Sequence, residues 1–122
     1  MNPLQPHEFR LLAEIGCLAG QTGDLMRAST IFSALETCRP DAAIPYVGMS
    51  VALLLRRNHP EVLSTLDRGL KAVSPGDRAD VHAFRALALH MAGRIAERDR
   101  AIHAAGDHPL ARALALEPLQ RA

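Results

Sequence analysis

The sequence predicts an all-α fold, and three observations support this prediction. The 122 residues include 21 Ala and 18 Leu, but only five Val, five Ile and four Thr. Ala and Leu favour helices, whereas β-branched residues favour strands. Gly and Pro fall mostly between apolar segments, where they break helices. Prolines and turn signals also recur at intervals near 34 residues.

This recurrence indicates a repeated helical hairpin. Three prolines lie 35 and 34 residues apart: Pro40, Pro75 and Pro109. A turn signal precedes each of them: Gly23-Asp24, Asn58 and Gly93-Arg94. A period near 34 with one internal turn and one terminal proline is typical of a helix-turn-helix repeat. Because a single unit cannot bury its own apolar face, we expect three units to stack around a shared core.

The pattern predicts seven helices, and local chemistry supports several of their starts. The helices span residues 7–21, 24–38, 42–56, 59–73, 78–92, 95–105 and 109–119. Asn58 and Glu61 have the spacing of a capping pair, and Pro60 lies in the first turn, where its missing N–H costs nothing. Ser74 precedes a similar helix start, and we expect Asp107 to cap the last helix.

Charge and composition exclude several classes of protein. Lys and Arg total 14 against 13 for Asp and Glu, whereas nucleic-acid binders usually carry a clear basic excess. The uncharged stretch from Tyr46 to Leu55 is half as long as the roughly 20 residues that cross a membrane. The N-terminus has no signal-peptide pattern, and Cys17 and Cys38 do not form a CxxC motif. We therefore expect a soluble cytoplasmic protein with no nucleic-acid partner and no membrane insertion.

The sequence offers no catalytic or metal site. It contains no nucleophile motif and no phosphate-binding glycine loop. Asp99 and His103 are four residues apart, and His82 and His90 share one helix, but two ligands do not make a zinc site. We predict that the protein is not an enzyme and that it needs no metal or other cofactor.

Two further features have structural interpretations. Cys17 has no neighbouring His or Lys, so it is expected to be a small buried packing residue. Arginines at positions 94, 98 and 100 alternate with Glu97 and Asp99, which is typical of a solvated helix face.

The first unit resembles the tetratricopeptide repeat. The residues that carry this resemblance are Gly16 for close helix packing, Gly23-Asp24 at the turn, Ala28 and Phe32 in the second helix, and Pro40 at the end. Later units keep Tyr46, Leu53, Leu66 and Pro75, and then Phe84, Ala88, Ala101 and Pro109. In the second unit, Val62 stands where the family has a small alanine. In the third unit, Arg85 falls at the close-packing position, so the alignment of this unit with the repeat is left open by one residue.

The resemblance implies one domain over residues 1–122, built as a right-handed stack of three hairpins with a C-terminal helix. The units span about residues 9–42, 43–77 and 78–111, and the closing helix spans about 109–119. Within this family the segment from Gly16 to Gly23, together with Arg39-Pro40-Asp41, is similar to small bacterial type III secretion chaperones of export-apparatus and needle components. The resemblance implies that a helical segment of a small secretion-system protein is bound in the cytoplasm before export.

The first helix of each unit lines the concave face in this family, which predicts a partner-binding groove. Its residues would be Ala13, Cys17, Ile44, Val47, Val51, Leu54, His82, Ala86, Leu89 and His90. An apolar centre with small neighbours suits an amphipathic helix, whereas a carboxylate clamp needs more inward-facing cations. Core packing remains the alternative for the apolar residues of helix 42–56, because that helix is apolar on nearly all sides.

Exposed Leu and Val side chains in so short a stack favour aggregation, so such a chaperone could need a second small protein to stabilise it. Another function left open is a general scaffold that uses the same surface to form homo-oligomers or to bridge other proteins. A small helical enzyme or a metal-dependent regulator is the alternative from a different class.

Overall fold

The computed structural model describes residues 4–117, which form seven α-helices and one short 3₁₀ turn. The helices are α1 (Pro6–Gln21), α2 (Leu25–Cys38), α3 (Ile44–Leu55), α4 (His59–Ala72), α5 (Arg78–Met91), α6 (Ile95–Ala105) and α7 (Pro109–Leu116), and the 3₁₀ turn is Pro75–Asp77. The predicted all-α class is confirmed. The first six predicted helices agree with these bounds to within two residues, whereas α7 ends before the predicted position 119, which lies outside the described residues. None of the described helices is long and apolar enough to cross a membrane.

The odd-numbered helices form one continuous layer. Each helix contacts its neighbour in the sequence, and in addition α1 contacts α3, α3 contacts α5 and α5 contacts α7. Short turns join consecutive helices, so the two members of each pair run in opposite directions. The odd-numbered helices therefore run side by side in the same direction, and their N-terminal ends meet at one edge.

The turns that follow α1, α3 and α5 share one backbone geometry. The residue with positive φ is Gly23 (87°), Arg57 (57°) and Gly93 (75°), respectively. The next N–H donates to the carbonyl five residues earlier in each case: Asp24 to Ala19 (2.8 Å), Asn58 to Leu53 (3.1 Å) and Arg94 to Leu89 (2.9 Å). This pattern is the Schellman motif, which satisfies carbonyls at the end of a helix.

The turns also give a common reference for aligning the three pairs of helices with one another. Because the positive-φ residues are 34 and 36 residues apart, Gly16, Ser50 and Ala86 are equivalent. All three are buried, whereas Arg85 lies at the edge and bonds Asp67 Oδ1 at 2.9 Å. Counted from the turns, the residue that corresponds to Gly16 is therefore Ala86, one residue later than Arg85.

The same register explains why one prediction about the arginines was wrong. Arg98 is equivalent to Ala28 and Val62, so it is 5% exposed rather than solvated. Its Nη1 lies 3.0 Å from His90 Nδ1, and its Nε and Nη2 donate to Asp99 Oδ1. Because arginine has no acceptor, His90 Nδ1 accepts this hydrogen bond.

Phe32 joins α1, α2 and α3 at a point where only glycine fits. A Cβ atom at Gly16 would lie 2.9 Å from Phe32 Cζ, and a Cβ atom at Gly48 would lie 2.3 Å from the same ring. Side-chain carbons do not approach so closely, so the ring occupies the space that these side chains would need. The predicted close-packing role of Gly16 agrees with this contact.

Two loops at the N-terminal edge of the layer are tied together. The Tyr46 hydroxyl donates to the Pro40 carbonyl at 2.7 Å, which holds the loop between α2 and α3. Asp77 Oδ2 accepts from the Ala43 N–H at 2.8 Å, and the Ser74 N–H donates to the Asp41 carbonyl at 2.9 Å. These bonds position the starts of α3 and α5 beside each other.

Two predicted caps differ from the structure. Asn58 precedes α4, but its side chain makes no capping hydrogen bond. The cap of α7 is His108 rather than Asp107, because His108 Nδ1 accepts from the Leu110 N–H at 3.1 Å. His108 also reaches Asp80 with Nε2, so the imidazole links two helices as well as capping one.

Arg57→Gly is expected to stabilise the protein. A residue with a Cβ atom is strained at φ 57°, whereas glycine is not, so the free energy of unfolding should rise by about 1 kcal/mol. Urea denaturation measures this change. Arg56→Gly is the matched control, because Arg56 is equally exposed but has φ −96° and should gain nothing.

Gly48→Ala is expected to destabilise the protein by about 2 kcal/mol, because the new methyl group would overlap the Phe32 ring. Gly76→Ala is the control, since no atom lies within 4 Å of a Cβ built at Gly76. Equal unfolding midpoints for the two variants would show that the Phe32 contact is not tight.

Candidate functional site

An open apolar groove of about 780 Å³ lies along α1, α3 and α5. Residues from α1 form one wall: Arg10, Ala13, Glu14, Cys17, Leu18 and Gln21. The start and the exposed face of α3 form the floor, with Ala43, Ile44, Val47, Gly48 and Val51. Asp80 and Phe84 of α5 form the opposite wall. The groove exists because α2 and α4 cover only the other side of this layer.

Five of the ten predicted groove residues line this groove: Ala13, Cys17, Ile44, Val47 and Val51. Arg10 and Gln21 of α1 line it as well. The structure therefore brings the residues of the first two hairpins together on one surface.

Three predicted groove residues are buried in the core instead. Leu54 belongs to the cluster around Tyr46, Val62 and Leu66, so it packs between α3 and α4. Ala86 and Leu89 are fully buried in a cluster with Ala101 and Leu114. Since α6 and α7 cover this part of α5, these side chains cannot reach a partner.

The two predicted groove histidines are half-buried and lie outside the groove lining. His90 contacts Arg98, as described above. Burial lowers the pKa of His82, and the positive charges of Arg78 and Arg85 lower it further.

The sequence prediction missed several lining residues. Asp80 was missed because the third hairpin was aligned one residue too early, and Phe84 was missed because the repeat pattern points to other positions of α5. Leu18 and Glu14 were missed because the repeat pattern points to other positions of α1. A period of three and four residues in the apolar side chains of α1, at Leu11, Ile15 and Leu18, was the available signal.

Large apolar side chains on the walls and at the edge of the groove are exposed. Leu18 is 60% exposed and Ile44 is 42% exposed. Leu11 and Ile15, at 56% and 43%, continue this apolar surface over the outer face of α1. A contiguous exposed surface of this kind usually marks a binding site for another protein.

Charged residues lie on both walls and at one end of the groove. Asp80 Oδ1 is 2.7 Å from His108 Nε2. Arg39 lies beyond Arg10 in an adjoining cavity of about 240 Å³, and its Cζ is 5.4 Å from the centre of the Phe9 ring. Arg10, Ala43, Ile44 and Asp80 line both cavities, so the smaller one continues the groove at the N-terminal edge.

Cys17 is exposed in the groove, so the prediction of a buried packing residue was wrong. Its side chain points to the side of α1 that no other described helix covers. Partial burial raises the pKa of the Cys17 thiol, and the negative charge of Glu14 raises it further. The second cysteine, Cys38, is exposed at the end of α2 and does not line the groove.

Within residues 4–117, no group of three or more His, Cys, Asp or Glu side chains is arranged to hold a metal ion. Comparison of the chain with known protein families, with curated proteins and with solved structures finds no match. Functional conclusions therefore depend on the groove and on the sequence resemblance.

Glu14→Gln is expected to make Cys17 react faster with iodoacetamide near neutral pH. The substitution removes a negative charge that raises the thiol pKa, so more of the reactive thiolate forms at a given pH. Mass spectrometry of the alkylated peptides gives the rate at each pH. Cys38 is the internal control, and an unchanged Cys17 rate would show that Glu14 does not act on this thiol.

Proposed function

We propose that this protein binds an amphipathic helix of a small partner protein in the groove along α1, α3 and α5. The observation that carries this proposal is the apolar groove itself, with Val47 and Val51 along its floor and Leu18 and Ile44 exposed. Side chains such as these contribute about 25 cal/mol for each Å² of apolar surface that a partner covers.

The shape and chemistry of the lining favour a helix over other ligands. Ala13 and Ala43 are small, so a partner backbone can approach α1 and the start of α3 closely. A small-molecule site would hold a few convergent polar groups, but the polar residues of this groove lie apart on its walls and at its end. An extended peptide would need an open strand edge for its backbone hydrogen bonds, and residues 4–117 contain no strand.

The cellular role that we propose is that of a cytoplasmic type III secretion chaperone in a bacterium. The sequence resemblance supports it, together with the turns of one geometry 34 and 36 residues apart and the continuous layer of odd-numbered helices. The partner would be an export component or a needle subunit, whose apolar helix would otherwise assemble prematurely. The mechanism is stoichiometric covering of that helix, and it requires no cofactor.

The outer face of α1 favours a second candidate function. Leu11 and Ile15 are exposed beyond the groove, where no described helix follows. A second small protein or a second copy of this chain would bury them, so the alternative is a tetratricopeptide-type scaffold that self-associates or bridges other proteins. Light scattering after gel filtration distinguishes these cases, because a scaffold of this kind forms homo-oligomers without a smaller companion.

Leu18→Asp and Val51→Asp are each expected to weaken partner binding by about a hundredfold, because the complex would bury an unpaired carboxylate. The tagged protein is purified from its native cells, and intact-complex mass spectrometry measures the bound companion. Met26→Asp is the matched control, because Met26 is 82% exposed on α2 and lies outside the groove.

Circular dichroism establishes that each variant remains folded. Retention of a stoichiometric small companion by folded Leu18→Asp and Val51→Asp would contradict the proposal. So would the absence of any small companion from the unmodified protein under conditions that induce secretion.

A further inference from the structure

The two walls of the groove each carry a carboxylate beside the apolar floor. Glu14 lies on α1 and Asp80 lies on α5, with the side chains of α3 between them. Both residues are exposed. Asp80 Oδ1 lies 2.7 Å from His108 Nε2, but the side chain is 52% exposed, so both carboxylates remain accessible to a bound partner. A helix in this groove would have Glu14 on one flank and Asp80 on the other.

The positive charges near the groove do not neutralise this arrangement. Arg10 lies one helical turn before Glu14 on α1 and is its neighbour on the helix surface, whereas Arg39 lies farther away at the N-terminal edge. The groove lining carries two carboxylates, Glu14 and Asp80, against one arginine, Arg10, so it has a formal excess of one negative charge. Glu14 makes no ion pair with any residue in 4–117, so it is the surplus charge of the groove.

The surroundings of Glu14 strengthen its effect on a partner. On the side away from Arg10, its groove neighbours Cys17 and Leu18 carry no positive charge, and its negative charge already acts on the Cys17 thiol. A partner that covers the groove would exclude water from this region, which makes charge pairing more selective.

We infer that the bound helix carries a basic side chain on each flank of its apolar face, one beside Glu14 and one beside Asp80. This inference rests on the proposed function and adds the charge pattern of the partner. Charge pairs at the edge of an interface select among partners and speed their association more than they raise the affinity. The groove would therefore reject amphipathic helices with acidic flanks.

Two synthetic amphipathic peptides test the inference. They share one Leu- and Ala-rich face and differ only in their flanks, which are Lys in one peptide and Glu in the other. Fluorescence anisotropy measures their binding to the full chain at low and at high salt. We expect the Lys-flanked peptide to bind about fivefold more tightly at low salt, with a smaller difference at high salt.

Charge reversal in the protein locates the effect. The Glu14→Lys variant should lose most of the preference, and the Glu14→Lys/Asp80→Lys variant should prefer the Glu-flanked peptide. The control carries Asp107→Lys and Glu117→Lys, which change the net charge equally at exposed positions outside the groove. Because Asp80→Lys also removes the bond to His108, the single Glu14 variant tests the inference if the double variant is unstable.

The outcomes separate the two proposals. Equal affinities of the two peptides for the unmodified protein would overturn the charge inference and leave the helix-binding groove intact. The charge inference would also be overturned if the Glu14→Lys variant kept the preference for the Lys-flanked peptide, or if the control variant lost that preference. If neither peptide binds, the groove is not a helix site, and the proposed function fails together with the inference.

Discussion

The groove depends on the fit of Phe32 between two glycines. The ring occupies the space that side chains at Gly16 and Gly48 would need, so it sets how closely α2 approaches both α1 and α3. Gly48 also lies in the floor of the groove, and therefore one residue takes part in both the core and the candidate site. Protein interiors are close-packed, so a displacement here would reach the groove walls directly.

The two helices of the third hairpin pack against each other partly through polar side chains, in place of the small and apolar residues of the first hairpin. The helix-facing position that is small in the first hairpin holds Arg98 here, and His90 stands where Gly20 and Leu54 stand in the other two. A buried guanidinium requires hydrogen-bond partners, and His90 and Asp99 provide them. This end of the molecule is further covered by α7, whereas no helix within residues 4–117 covers the outer face of α1 at the other end. The two ends are therefore unequal, and the exposed apolar surface is concentrated at the first hairpin.

The fold could be predicted largely from the sequence because its signals are local. Ala and Leu content, prolines and turn residues are each visible in a short segment, and they gave helix bounds close to those observed. The turn after α3 shows the limit of this approach. Asn58 identified this turn in the sequence, but only the structure shows that Arg57 has the left-handed backbone that Gly23 and Gly93 have in the other two turns.

The candidate site was less predictable, because exposure depends on which helix covers which face. Leu89 and Val51 both lie on apolar helices with a similar pattern, but α6 and α7 cover Leu89 and no described helix covers Val51 fully. The burial of Arg98 was equally hard to predict from the sequence, because alternating charges on a helix usually indicate a solvated face. In both cases the deciding fact is how α6 and α7 pack against α5, which the pattern within a single helix does not show.

Cysteine alkylation in the native complex tests the central claim, that the groove is the binding surface, most directly. Cys17 lines the groove and Cys38 does not, although both are exposed in the free protein. The complex purified from native cells and the free protein are treated with iodoacetamide, and the rate at each cysteine is measured by mass spectrometry. Our account predicts that the partner slows the alkylation of Cys17 at least tenfold, by a rough estimate, and leaves Cys38 unchanged. Equal rates at Cys17 in the free and the bound protein would contradict it.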